Sequence, residues 1–469
     1  MKIAFIHYHL KTGGVTTVVR QQTEALRGNC QCLVLAGSLP DAEFPVKTIE
    51  IPALNYTQPN QKPYDPADVA DSMIEAIQAT FDGECDVVHI HNPTLAKNTQ
   101  FLEILAHLQR RNMKLFLQIH DFAEDGRPQA YFSEAYPSNC HYGVLNGRDY
   151  AILRRTGLKK EGLHIIPNMV NPVAEIHPQM NIGNFVLYPI RAIRRKNIGE
   201  AILLSLFLRK GQKLIITLPP NSPADMLSYR DWKSFATKHD LAIEFEAGLT
   251  NEFRELVAAA DFLITTSITE GFGFSFLEPW MHNKLLWGRK LDHIIRDFEK
   301  NGIRLDHLYR KLLVPVNWIG QTRLFQRWSA CVQKTCGVFK FPIQKTAMTS
   351  AFERITTDGC IDFGLLDEGF QKQIIERVLD DQNNAEILKQ LNIFLNHPGE
   401  VSQKDGLIGE NRQAILKHYD EESYRKQLME IYKSVSHQPV LQQIDKTVLL
   451  SEFLELDNFS LLKWCDYLE

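Results

Sequence analysis

The sequence contains no run of about 18 apolar residues, so nothing in it reads as a membrane-spanning helix. Only Ile3–Ile6 separates Lys2 from His7, too short a stretch for the core of a signal peptide. Cysteine is scarce, with eight in 469 residues. Cys30 and Cys32 form a C-x-C pair, but no second thiol or histidine pair sits at zinc-ligand spacing, so a disulfide scaffold and a zinc module are both excluded. Free thiols in a reducing compartment are expected, which places the protein in the cytoplasm. An excess of one charge is also missing. Lys and Arg total 52 against 56 Asp and Glu, a net charge of −4, which argues against a nucleic-acid coat or a polybasic membrane binder. Internal repeats and low-complexity segments are absent. What remains is ordinary globular composition, 44% hydrophobic and 23% charged, with chain enough for two to four domains.

The charge is unevenly placed. Val440–Glu469 holds Asp445, Glu452, Glu455, Asp457, Asp466 and Glu469 against Lys446 and Lys463, so this tail carries the whole −4 and the preceding chain is neutral. Its apolar residues, Leu449, Leu450, Phe453, Leu454, Leu461 and Leu462, suit either packing on its own domain or docking of a partner. Arg154, Arg155, Lys159 and Lys160 read as a solvated face in preference to a membrane contact.

Short apolar runs alternate with amphipathic stretches through the first third. Strands are expected at Lys2–Ile6, Cys32–Ala36, Asp86–Ile90, Lys114–Ile119 and His164–Ile166, with helices at Ala67–Phe81 and Lys97–Arg111. Apolar runs without polar alternation suit strands buried on both faces, and their alternation with helices suits a parallel sheet. The rhythm pauses at Pro167–Asn184, the best linker candidate. It restarts with strands at Phe185–Pro189, Leu214–Leu218, Ile243–Phe245 and Asp261–Thr265, and is lost again from Ile319 to Asp380, where a mostly helical elaboration is expected. Glu410–Val435 reads as one long amphipathic stretch.

Three motifs follow strands, where ligands bind in such sheets. Gly13-Gly14, between the first strand and a helix, lets backbone amides approach a phosphate, although the G-x-G-x-x-G dinucleotide pattern is absent. Arg191, Arg194, Arg195 and Lys196 put four cations in six residues, placed to meet an anion. Thr266–Pro279 carries Glu270-Gly271-Phe272-Gly273-Phe274 and then Glu278, eight residues after Glu270. That spacing is not one helical face, so Glu270 belongs to the loop and Glu278 to the helix after it. Carboxylates so placed accept hydrogen bonds from paired hydroxyls, as a sugar or ribose presents them.

Together these motifs resemble a retaining glycosyltransferase of the GT-B fold, of the glycosyltransferase family 4 kind. That pattern has an N-terminal Gly-Gly loop, an Arg followed five residues later by Lys, and an E-x7-E beginning Glu-Gly-Phe-Gly. Ile166-Pro167-Asn168-Met169-Val170-Asn171 is similar to the segment preceding the family's domain crossover, and Ile415–Val435 to its returning C-terminal helix. The resemblance spans roughly residues 1–290 and 405–436.

The resemblance implies two Rossmann-like, doubly wound parallel-sheet α/β domains facing across a cleft, with a helical elaboration in the second half. Residues 1–178 would form the acceptor-side domain and 179–409 the nucleotide-sugar domain, with an insertion at about 319–380. Residues 410–436 would return to the first domain and 437–469 form the acidic tail. Arg191 and Lys196 would bind the diphosphate, and Glu278 the ribose. Glu270 and the amides of Gly271, Phe272, Gly273 and Phe274 would hold the donor sugar. The Gly13-Gly14 loop would approach from the other domain, and His120 would touch the sugar. His89 and His91 read as supporting or packing residues. The implied activity moves a hexose from a nucleoside-diphosphate sugar to an unidentified hydroxyl acceptor, with retention, without metal or other cofactor, and with no nucleic-acid partner. Alternatives are a sugar-nucleotide epimerase, a phosphorylase, or a non-catalytic sugar-nucleotide scaffold. Pro279–Arg289 departs from the family, placing Trp280, Trp287 and Arg289 where small residues are usual.

Overall fold

A computed structural model describes residues 1–173 and 184–466. The expected domain boundary at 178/179, with Pro178 and Gly183 of the linker, lies outside the described residues. The chain divides into two compact units. Unit 1 comprises Met1–Asn171 and His418–Leu454, and unit 2 comprises Pro172–Lys417 and Glu455–Glu469.

Unit 1 is built on seven strands, β1 (Lys2–His7), β2 (Gln31–Ala36), β3 (Lys47–Glu50), β4 (Val87–His91), β5 (Leu115–Ile119), β6 (His141–Val144) and β7 (Leu163–Ile165). They lie in the order β3-β2-β1-β4-β5-β6-β7, and every pairing is parallel. Alternate residues of β1 feed two cores. Ala4 and Ile6 join Leu33, Val88 and Leu117 beneath the helices Pro66–Phe81 and Phe101–Arg110. Ile3 and Phe5 join Val34, Val87 and Phe116 beneath Gly14–Ala25 and Glu421–His437, which contributes Tyr424, Leu428 and Tyr432. A sheet covered on both faces explains why its strands read as unbroken apolar runs.

Unit 2 has a five-stranded parallel sheet of β8 (Phe185–Arg191), β9 (Lys213–Leu218), β10 (Ile243–Phe245), β11 (Phe262–Thr265) and β12 (Leu286–Gly288), in the order β10-β9-β8-β11-β12. A small antiparallel pair, β13 (Leu313–Pro315) with β14 (Cys360–Asp362), adjoins the helices Gln321–Val338, Lys345–Ile355 and Glu368–Asp380 of the elaboration. Two Rossmann-like parallel sheets wound with helices are the GT-B fold.

Several elements depart from expectation. Edge strand β3 is half-polar, and β6 contains Gly143 and His141, so neither reads as an apolar run. Glu410–Val435 is not one helix. Lys404–His418 ends before Asp420, whose carboxylate accepts from the Glu422 and Ser423 amides and starts Glu421–His437. The acidic tail is divided too. Leu449 and Phe453 are buried in unit 1, where Glu452 pairs with Arg155, while Leu461 and Trp464 are buried in unit 2. The expectation of free thiols throughout also fails, because Cys331 and Cys465 form a disulfide across a sequence separation of 134 that no local spacing announces. Among the described residues, no helix is long and apolar enough to cross a membrane.

Candidate functional site

In unit 2 the chain runs outward from β8 to β9 and β10, then returns to place β11 on the other side of β8. Beyond the strand ends at such a reversal is the usual ligand position in a doubly wound sheet. The turn after β8 and the loop after β11 meet there. The Ile268 amide donates to the Arg195 carbonyl at 3.0 Å. Tyr188 Oη donates to the Lys196 carbonyl at 2.6 Å, and Thr266 Oγ1 donates to the Lys196 and Asn197 carbonyls, each at 3.0 Å. Asn197 takes a left-handed φ of 52° to turn the chain into the helix Ile198–Ser205.

The two loops bring Lys196 and Glu270 together. Glu270 is 8% exposed, accepts from Arg195 Nη1 at 2.8 Å and is ion-paired with the Lys196 ammonium. Burial would raise its pKa, but Lys196, Arg195 and a hydrogen bond from Ser267 overcome this and hold it at about 2. Lys196 is lowered by burial, against the support of Glu270. Glu278 is the first residue of the short helix Glu278–Met281. Surrounding protein pushes it up to about 7 against Lys196, although solvent reaches the carboxylate and screens that rise.

The four cations of the basic turn have different fates. Arg191, at the end of β8, is exposed and donates to the Pro219 carbonyl at 3.1 Å. Arg194 is held by both oxygens of Glu368, at 2.6 and 2.9 Å, and by the Cys465 carbonyl at 2.6 Å, so it anchors the fold and the end of the tail. Arg195, which was read only as one cation of the run, is a direct partner of Glu270. The Gly271–Phe274 segment is equally divided. Phe272 is buried against Phe298. Gly273 has a φ of 95°, and a Cβ there would meet Ile294 at 2.7 Å. Ser275 Oγ, which sequence reasoning did not single out, is buried in this loop without a hydrogen-bond partner among the described residues.

Unit 1 reverses between β1 and β4. Gly13 precedes the helix Gly14–Ala25, which has neither a side-chain cap nor an acidic residue in its first turn. Gly13 and Gly14 are exposed, and a Cβ on Gly14 would meet nothing within 4 Å. Beside this loop the strand ends carry a histidine cluster. His120 Nε2 lies 2.8 Å from His91 Nδ1, and Asn92 Oδ1 accepts from the His120 and Asp121 amides at 2.8 and 3.1 Å. His91 Nε2 and His7 Nδ1 are buried without hydrogen-bond partners among the described residues. A buried, unpaired N–H costs more than an unpaired lone pair, so His91 carries its proton on Nδ1 and donates to His120. His120 then carries its own proton on Nδ1, available as a donor. Burial lowers His7 and His89 to about 3 and His120 to about 4, leaving the cluster neutral at physiological pH. His89 is tied to Tyr432 and Gln118, each at 2.9 Å.

No protein-family model matches the sequence. Over 97% of this chain and 98% of the relative's length, the sequence is 24% identical to the mannosylglucosyl-3-phosphoglycerate synthase of Petrotoga mobilis. The structure is similar to sucrose-phosphate synthase from Thermosynechococcus elongatus, with a TM-score of 0.54 at 16% identity, covering 92% of this chain and 98% of that one. It is also similar to Anabaena HepE in complex with UDP and glucose, with a TM-score of 0.54 at 12% identity over 92% and 99% of the two chains. A glycosyltransferase from Rickettsia africae gives 0.53 at 11% identity over 93% and 99%.

Proposed function

We propose that this chain, a GT-B glycosyltransferase by fold and by similarity, moves a hexose from a nucleoside-diphosphate sugar to a hydroxyl acceptor with retention and without a metal. The observation that carries the reading is the Arg195–Lys196–Glu270 cluster at the β8/β11 reversal, with Arg191 at the end of the adjoining strand. Lys196 and Arg191 supply fixed positive charge for the diphosphate, whose charge grows as the bond to the sugar breaks. Glu270 stays ionised at neutral pH, orients both cations of its pair, and accepts from donor-sugar hydroxyls. Glu278 takes the ribose, and the Gly271–Phe274 amides complete the sugar contacts that unit 2 offers; in unit 1, His120 Nδ1–H is by itself a donor suited to a sugar hydroxyl. The sugar C1–O bond to the leaving phosphate breaks while the acceptor oxygen bonds to C1 on the same face. The leaving phosphate takes the acceptor's proton, so no side-chain base is required.

The synthase from Petrotoga mobilis is matched nearly end to end and is named for a mannosylated glucosyl-3-phosphoglycerate. We therefore read the transferred group as mannosyl and the acceptor as a small phosphorylated glucoside handled in the cytoplasm. A thermal-shift series with UDP, GDP and ADP tests the donor. Stabilisation of about 2.7 kcal/mol at 100 times Kd is expected for one of them. No response to any nucleotide would overturn the reading. With the responding nucleotide's mannose donor and glucosyl-3-phosphoglycerate, the anomeric NMR signal of the product should show retention.

A further inference from the structure

Unit 1 carries a second concentration of charge that the donor chemistry does not use. The loops after β3, β4 and β5 are stitched into one surface at the strand ends. The Thr57 amide donates to the Lys97 carbonyl and the Ala96 amide to the Ala130 carbonyl, both at 2.8 Å. Asn98 Nδ2 donates to the Ala53 and Asn55 carbonyls at 2.7 and 3.0 Å. On this frame the exposed Tyr56 ring has the Lys97 ammonium 5.6 Å from its centroid, and its hydroxyl lies 3.3 Å from His9 Nε2. Arg127 stands close enough for its charge to act on both Tyr56 and Lys97. Its guanidinium pairs with Asp121 at 2.8 Å. Lys97 itself bonds no carboxylate among the described residues. Two cations are thus held near one carboxylate on a braced surface, an arrangement that gains from a further anion.

We propose that Lys97 and Arg127 form an anion subsite in unit 1 that binds the phosphate or carboxylate of a glycerate-type acceptor, with Tyr56 and His9 against its sugar ring. This deepens the transferase reading and rests on it for the word acceptor. Arg127 is already oriented by Asp121 and offers its remaining N–H groups as a fork, while Lys97 adds a mobile point charge. The exposed Tyr56 ring offers an apolar face to a pyranose ring, and its rim is polar through His9.

Titration calorimetry with 3-phosphoglycerate tests the subsite, using wild type, Lys97→Met and Arg127→Gln, with UDP, GDP and ADP titrated in parallel. Lys97→Met alters an exposed side chain, so the fold should be retained, as far-UV circular dichroism will show. Each variant is expected to weaken 3-phosphoglycerate binding about tenfold or more, the scale of one charge-assisted hydrogen bond. Nucleotide affinity should be unchanged. Equal 3-phosphoglycerate binding by wild type and Lys97→Met, or none by wild type, would overturn the subsite even if a nucleotide binds. Lys97-dependent 3-phosphoglycerate binding without any nucleotide binding would instead overturn the transferase reading and leave the anion subsite standing.

Discussion

The two units place chemistry at the same point of the same kind of sheet, yet they fill it differently. At the β8/β11 reversal unit 2 assembles a charged knot of Arg195, Lys196 and Glu270. At the β1/β4 reversal unit 1 assembles His7, His91 and His120, buried and uncharged. A diphosphate needs permanent charge held in place, whereas sugar hydroxyls need directed donors and acceptors. Unit 2 thus offers fixed charge at its reversal and unit 1 neutral, directed hydrogen bonding at its own, a difference of side chains alone. The fold is common to both, and the side chains at the strand ends decide what each edge can bind.

The sharpest way to break this comparison is to remove the charge in unit 2. Lys196→Ala is expected to lower kcat/KM by about 10²–10³, the cost of deleting one fixed charge-stabilising group. It also leaves Glu270 with Arg195 as its remaining cation. Glu270→Ala should be as damaging, because it frees two cations that it now orients. Both variants should stay folded by circular dichroism. Turnover at the wild-type rate by either would remove the knot from the chemistry.

Acid separates the units next. His7 and His89 titrate at about 3 and His120 at about 4, against an ordinary 6.5. Their folded pKa values are depressed, so the unfolded chain takes up protons first. The stability that these histidines contribute is full above 6.5 and is lost as pH falls through the range down to 4 and 3, while Asp149 of the same unit, raised to about 6 by burial, offsets part of that loss. Glu270 is also depressed, to about 2, but from 4.5, so its contribution is lost only between those values. Glu278, raised to about 7, runs the other way and favours the folded state as pH drops toward 4.5. All six tryptophans, Trp232, Trp280, Trp287, Trp318, Trp328 and Trp464, belong to unit 2. Tryptophan emission should therefore hold to lower pH than far-UV circular dichroism, which reports both units. Coincident transitions would show that the histidine cluster does not set the acid limit of unit 1.

Legibility in the sequence followed the same division. Gly13-Gly14, Arg191, Lys196, Glu270 and Glu278 could be named because each is a short motif just after an apolar strand. Most strands were equally accessible, since double burial leaves unbroken apolar runs, but β3, β6, β12 and the strand order were not. Partners distant in sequence were hidden. Nothing near Arg194 indicates that Glu368 holds it, and nothing near Arg195 assigns it to Glu270. His91 read as support or packing, and only the 2.8 Å contact with His120 Nε2 shows what it supports. Lys97 was read as the polar start of a helix over Lys97–Arg111. The helix begins at Phe101, and the residues before it serve the loop that carries the cation.

The smallest expected effect is also the most discriminating between fold and function, because each unit offers one glycine. Gly273 is required by the fold. Its φ of 95° disfavours any side chain, and a Cβ would press on Ile294 and Phe276. Gly273→Ala should cost about 2 kcal/mol or more of stability, seen as a lowered Tm. Gly14 has no such constraint, since it lies in the first helical turn with open space around it. Gly14→Ala should leave stability unchanged or raise it by up to about 1 kcal/mol, because alanine favours helix and restricts the unfolded chain. If the loop amides are kept bare for a ligand, the same methyl should raise KM for donor or acceptor by about threefold, a fraction of one neutral hydrogen bond. A Gly14→Ala protein with unaltered KM and higher Tm would show that the glycine pair in unit 1 is only a turn.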